Sequence, residues 1–192
     1  MKRYLLMRLL NLLNLIILVN CLFLTGLSAN ETFPYQFRDV GITNKINTSI
    51  TKPLTLNDDD GNKIELTSLL EEKPTIVNFV YLNCPMLCHL LLDGLVDVMK
   101  RSNYLINEYY QIITISIDPN EKTETLKSFR NKYLDLVSAN GGWYFLKGNA
   151  TEIKNLTDQM GYSYKYIKRT KDYAHPSVLY FFHPKQGITN YI

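Results

Sequence analysis

The chain has little cysteine, three residues in 192, and equally little histidine. It also lacks a surplus of positive charge where one would matter. The formal net charge of +3 matches the three cations Lys2, Arg3 and Arg8, which precede an apolar run from Leu9 to Leu27. Beyond that run, basic residues do not outnumber the 18 acidic ones. A balanced surface has no basic stripe to hold a nucleic-acid backbone, so no nucleic-acid partner is expected. Internal repeats and low-complexity linkers are absent too. What remains is a chain long enough for one domain with a real core.

Residues 1–29 read as a targeting segment. Basic residues open it, the apolar run follows, and the small pair Ser28-Ala29 ends it before Asn30 and Glu31. The run is long for a signal peptide and close to the ~20 residues that span a bilayer. The segment is therefore a signal peptide or an N-terminal membrane anchor, with membrane association through residues 9–27 in the second case. Basic residues on its N-terminal side place the rest of the chain outside the cytoplasm. Cys21 lies within the run and reads as a packed or discarded membrane residue. Asn20 before it is too large and polar for a lipid-attachment site.

Residues 30–53 read as an extended lead-in, and residues 54–192 as the folded domain. Leu54 to Leu66 reads as strand, turn, strand, with Asp58-Asp59-Asp60-Gly61 as the turn. Thr67 to Glu72 is a short helix. Thr75 to Tyr81 is a buried strand, rich in β-branched and aromatic residues. Helix is expected from Pro85 to about Asn103, strand over Tyr110–Ile117, and amphipathic helix over Glu121–Val137. Strand follows over Trp143–Leu146 with Trp143 in the core, then helix over Ala150–Met160 stopped by Gly161. Strands are expected over Tyr162–Ile167, Ser177–Phe182 and Ile188–Ile192. The main order, β-β-β-α-β-α-β-α-β-β, argues for an α/β fold with a central mixed sheet flanked by helices. A thioredoxin-like fold is the simplest architecture of this size with that order.

The two cysteines outside the leader, Cys84 and Cys88, are four residues apart in Asn83-Cys84-Pro85-Met86-Leu87-Cys88-His89. A disulfide closing so short a loop gains little stability, which points to redox or metal chemistry. Pro85 suits the first turn of a helix, whose free N–H groups and partial positive charge lower the pKa of Cys84. One helical turn apart, the two sulfurs share a face, and soft thiolates there select Cu(I). His89 is rotated about 100° from Cys88 and is expected on a solvent-facing stripe with Asp93, Asp97 and Lys100. Leu91, Leu92, Leu95 and Met99 continue the cysteine side inward. Met86 reads as apolar cover. Two thiolates leave a copper ion short of donors. His175 precedes a buried strand and is a candidate third ligand, whereas His183, before Pro184, reads as turn surface.

These residues resemble the Sco/SenC copper proteins of cytochrome oxidase assembly, over about the whole chain after the leader. Cys84-Pro85-Met86-Leu87-Cys88 is similar to the family's CxxxC motif, in its Cys-Pro-Met-Leu-Cys branch. Val40-Gly41-Ile42, Ser116-Ile117-Asp118-Pro119, Gly142 to Gly148 and Ala174-His175-Pro176 are similar to the same branch, in order. The resemblance implies a thioredoxin-like domain carrying copper, as Cu(I) or Cu(II), on Cys84, Cys88 and His175. It implies delivery of copper to the binuclear copper centre of cytochrome c oxidase, or reduction of that centre's cysteines. The implied partners are the copper-bearing oxidase subunit and copper donor proteins. The implied place is extracytoplasmic: the bacterial periplasm, with or without anchoring to the inner membrane, ahead of the mitochondrial inner membrane. By family position Asp118 lies near the site, unless it caps the following helix. Many members carry an aspartate where this chain has Ala174, which removes an acidic partner for His175; Asp172 stands two positions earlier. Members also continue past the last strand into a terminal helix, and that helix is expected to be absent here, since the chain stops at Ile192.

The expected activity is that of a metallochaperone rather than a turnover enzyme. The alternative is an extracytoplasmic thiol–disulfide oxidoreductase using Cys84 and Cys88 without metal. A peroxidase is disfavoured, because no arginine stands close to Cys84 in sequence.

Overall fold

The computed structural model describes residues 7–8, 12–16, 38–83, 87–137 and 141–192, and of residues 87 and 88 only the backbone. Residues 7–8 and 12–16 are helical. The chain divides into two units, Met1–Tyr35 and Gln36–Ile192. Among the described residues, no helix is long and apolar enough to cross a membrane. Most of residues 1–29, Cys21 included, lie outside the described residues.

The second unit is built on a five-stranded sheet. Its strands are β4 (Thr75–Val80), β5 (Gln111–Ser116), β6 (Trp143–Leu146), β10 (Leu179–His183) and β11 (Gly187–Tyr191), ordered β11-β10-β4-β5-β6. β4, β5 and β6 are parallel, while β10 runs antiparallel to both β4 and β11. The sheet is mixed, as expected. β4 and β5 are buried along almost their whole length, which is why they read as continuous apolar runs rather than alternating ones.

Alternation sorts their side chains to two faces. Val77, Phe79, Ile113 and Ile115 pack with Leu66, Leu69 and Leu70 of α1 (Leu66–Glu72) and Ile153, Leu156 and Met160 of α4 (Ala150–Met160). Val80, Ile112, Trp143 and Phe145 pack with Leu92, Leu95 and Val96 of α2 (Leu87–Arg101) and Leu126, Phe129 and Tyr133 of α3 (Thr123–Val137). Helices therefore cover both faces. Trp143 is a core residue, and its indole N–H donates to Thr114 Oγ1 at 2.9 Å.

Three smaller pairings complete the unit. β2 (Thr55–Asn57) and β3 (Lys63–Glu65) form the hairpin expected around Asp58–Gly61. The stretch Tyr162–Ile167, read from sequence as one strand, is two. β7 (Tyr162–Ser163) pairs with β1 (Gly41–Ile42), and β8 (Lys165–Ile167) pairs with β9 (Asp172–Ala174). The described part of the lead-in, residues 38–53, is tied to the domain. Thr43 donates its N–H to Gly161 O at 2.7 Å, and Asn47 and Thr48 exchange backbone bonds with Ile188. Neither β1 nor β9 has a periodic signature, since each is only two or three residues long.

The ends of α4 show how local sequence sets the frame. Asn149 and Glu152 form a reciprocal capping box, and Gly161 closes the helix at φ 68°. A Cβ on Gly161 would lie 2.2 Å from the carbonyl oxygen of Thr43. Gly161→Ala combines left-handed strain with a backbone clash, each worth about 1–3 kcal/mol. Urea denaturation is expected to show a loss on the order of 2–4 kcal/mol at unchanged m-value; an unshifted midpoint would show that β1 and α4 do not depend on this close approach.

Candidate metal centre

Sheet register decides which residues meet at the end of β4. β5 is parallel to β4 with Val80 opposite Ser116, and Ile117 N–H donates to Val80 O at 2.9 Å. The loop after β5, with Asp118 and Glu121, therefore leaves the sheet where β4 leaves it. β10 enters antiparallel with Leu179 opposite Asn78. The residues just before Leu179 thus lie beside the residues just after Asn78, and His175 arrives at the end where Tyr81, Leu82 and Asn83 lead into Cys84. His183 sits at the other end, past Phe182 and its partner Thr75. It accepts the N–H of Lys185 through Nδ1 at 3.2 Å, as turn surface would.

Tyrosines join the two segments. The hydroxyl of Tyr81 is hydrogen-bonded to the side chain of Asn83. The Tyr81 ring lies 5.1 Å from that of Tyr173, edge to face, and Tyr173 is two residues before His175. Tyr173 in turn donates to Asp118 Oδ1 at 3.3 Å and contacts the rings of Tyr164 and Tyr166. Burial pushes the Tyr81 hydroxyl upward in pKa, helped by the charges of Asp172, Asp118 and Glu121. None of these tyrosines stands out in the sequence, which holds 14 of them.

His175 is half-buried. Its Nδ1 lies 3.0 Å from Pro176 O and 3.1 Å from Tyr162 Oη, and the Tyr162 hydroxyl also donates to Pro176 O at 2.9 Å. A carbonyl oxygen only accepts, so the Nδ1–Pro176 contact belongs to the tautomer that carries its proton on Nδ1. Nε2 then bears the lone pair, the form in which imidazole ligates metals. Burial lowers the His175 pKa, against the smaller opposing pull of the Pro176 carbonyl, and so favours neutral imidazole. The loss of an acidic partner at Ala174 is made good: Ala174 is buried on β9, and the ring is oriented by a backbone carbonyl and a core tyrosine instead.

Cys84, Pro85 and Met86 lie outside the described residues. Cys88 is the second residue of α2, with its side chain undescribed. Among the described residues, no group of three or more His, Cys, Asp and Glu side chains gathers in metal-binding range. Of the three candidate ligands, His175 alone has a described side chain.

Two expectations change. His89 is half-buried, while Asp93, Asp97 and Lys100 of its stripe are exposed as expected. Its Nδ1 lies 3.2 Å from Tyr133 Oη and its ring 5.5 Å from Phe129, because α3 packs along that side of α2. Nor does Asp118 cap α3, which starts at Thr123. It closes the turn before it, accepting the Asn120 N–H at 2.9 Å, and it holds Tyr173. The apolar side of α2 is as expected, with Leu92 and Leu95 buried and Leu91 and Met99 partly so.

A family model for SCO1/SenC proteins matches residues 43–192. The chain belongs to the SCO1/SenC family. No curated protein sequence matches it significantly. Solved structures do. A putative electron transfer protein from Aquifex aeolicus VF5 is 26% identical, with TM-score 0.66 over 77% of this chain and 83% of that one. ScoI of Bradyrhizobium japonicum, solved with copper bound, is 24% identical, with TM-score 0.60 over 73% and 87%. BsSco, a member of the Sco family of cytochrome c oxidase assembly proteins with an identified disulfide switch, is 25% identical, with TM-score 0.59 over 78% and 86%. The thioredoxin-like sheet with helices on both faces is thus the SCO1/SenC fold.

One carboxyl near this sheet end escaped the sequence reading. Glu121 is buried; Lys122 N–H donates to its Oε1 at 3.2 Å, and the Ser116 hydroxyl to its Oε2 at 3.4 Å. Burial pushes its pKa up, and Asp118 adds to the rise. The unfolded chain gives up this proton near the ordinary 4.5, before the folded one does. The favourable contribution is therefore whole below that value and lost as pH climbs through the raised one. Glu121→Gln is expected to raise the melting temperature at neutral pH and to flatten its fall across that window. Thermal unfolding at a series of pH values checks this, and an unchanged slope would contradict it.

Proposed function

We propose that this SCO1/SenC protein binds copper through Cys84, Cys88 and His175. It passes the ion to the binuclear copper centre of a cytochrome c oxidase during assembly, or prepares that centre by reducing its cysteines. The observation that carries the reading is His175: a half-buried imidazole kept neutral, its Nδ1 turned to the Pro176 carbonyl, at the sheet end from which β4 runs into Cys84. Two thiolates and an imidazole are a soft donor set suited to copper. The helix that begins at Leu87 favours thiolate at its N-terminal end. Copper is cargo here, and the protein's task is to hold it until the acceptor's own ligands replace these three.

Copper-bound ScoI of Bradyrhizobium japonicum supports the choice of metal, and BsSco's place among oxidase assembly proteins supports the recipient. The basic start and apolar run of residues 1–29 support an extracytoplasmic place, the bacterial periplasm. There the domain is released by cleavage or tethered to the inner membrane through residues 9–27.

Thiol–disulfide exchange on Cys84 and Cys88 alone would not need an imidazole held this way, and His175 separates the two readings. His175→Ala is expected to weaken copper binding by more than the 10- to 100-fold typical of losing an outer-sphere partner. The Cys84–Cys88 redox couple should stay nearly intact. Copper retention equal to the parent protein, measured by metal analysis with both cysteines reduced, would reject the three-ligand site.

A further inference from the structure

Four of the seven residues from Lys165 to Lys171 are cations: Lys165, Lys168, Arg169 and Lys171. They stand out on a domain whose basic residues as a whole only equal its acidic ones. The β8–β9 hairpin collects them, pairing Lys165 with Ala174 and Ile167 with Asp172. Residues 168–171 form the tip, and Lys168, Arg169 and Lys171 are exposed. Among the described residues none of these three takes part in an ion pair.

The tip is also costly to build from these residues. Lys171 has φ 59° and donates its N–H to Ile167 O at 2.9 Å. That left-handed position suits Gly or Asn, and a lysine there is strained. A cation kept at a backbone cost points to a use for its charge. The hairpin is moreover fixed to the site. Tyr173, in its second strand, is hydrogen-bonded to Asp118 and packed edge to face on Tyr81, and the next residue but one is His175. At about 3.3 Å per residue, the three residues from Lys171 to Ala174 put the cations roughly 10 Å from the imidazole's strand end.

Resting on the copper-transfer reading above, we propose that the tip of the β8–β9 hairpin is the docking surface for the acceptor. It recognises an acidic patch beside the acceptor's copper centre and so brings that centre to His175. An anionic lipid surface is the less suited occupant. Asp172 lies on the hairpin itself, next to Lys171, and the Asp118 carboxylate accepts from Tyr173 of the same strand. A plane of negative headgroups would be driven against them, whereas an acidic patch of limited extent avoids them.

The test uses the full-length protein, metal-free and reduced, with Lys168→Glu, Arg169→Glu and Lys171→Glu combined. Lys171→Asn alone controls for the turn, and a variant with Lys168→Arg and Lys171→Arg preserves the charge. The probes are the purified copper-bearing domain of the oxidase and phosphatidylcholine vesicles with or without phosphatidylglycerol. Association of the parent protein with the oxidase domain is expected to slow as salt rises, and the charge-reversed variant to associate 10- to 100-fold more slowly. The arginine variant should match the parent, and all variants should bind copper equally. Equal association rates for parent and charge-reversed protein, no association by the parent, or a defect confined to phosphatidylglycerol vesicles would each overturn the proposal. A parent protein that binds no copper would instead strike the reading beneath it, while the rates still decide the docking surface.

Discussion

The antiparallel seating of β10 against β4 is the constraint on which the rest of this molecule depends. Leu179 opposite Asn78 means that one strand ends where the other begins. A residue 91 positions after Cys84 in sequence is thereby delivered to the sheet end from which β4 runs on toward Cys84. Had β10 joined in parallel, the segment before it would have emerged at the Thr75 end, where His183 now sits. The register is held by burial on both faces. Tyr180 and Phe182 face α1 and α4, and Leu179 faces α2 and α3. A slip by one residue would exchange those faces and turn every side chain of β10 toward the wrong layer.

Around that junction a backbone carbonyl and a tyrosine hydroxyl orient the imidazole. Pro176 O and the Tyr162 hydroxyl gather at Nδ1 within 3.1 Å. Tyr162 is itself locked by the core, with Phe79 at 4.5 Å between ring centroids. A backbone carbonyl is a weaker acceptor than an aspartate and carries no formal charge. It therefore orients the ring while burial keeps the imidazole neutral, where an adjacent carboxylate would favour the protonated form. The acids of this region lie elsewhere, on Asp118, Glu121 and Asp172, and act on the tyrosines that join the hairpin to the sheet.

The same junction explains why the β8–β9 hairpin matters despite its size. It is only three residue pairs long, and a hairpin of that length has little stability alone. Its second strand is held by aromatic contacts with Tyr81, Tyr164 and Tyr166 and by the Asp118 carboxylate. Ordering the hairpin and ordering the approach to His175 are therefore one event.

The amino-acid sequence alone determined the architecture and the suspects. Long apolar runs marked β4 and β5. The 3.6-residue periodicity marked the buried side of α2, and Gly161 marked the end of α4. Cysteines four apart at a strand-to-helix turn, with a histidine before a later strand, named the candidate ligands. These are local properties, set by backbone geometry and burial within a few residues. What only the tertiary structure decided was everything that depends on a neighbour distant in sequence. α3 packs beside His89 and half-buries it. Asp118 closes a turn and holds Tyr173 rather than capping a helix. Tyr162 and a backbone carbonyl replace the absent aspartate, and β1 and β9 exist only because a partner strand satisfies their hydrogen bonds. Such contacts leave no periodic trace, because their free energy resides in pairs of residues that only the folded chain brings together.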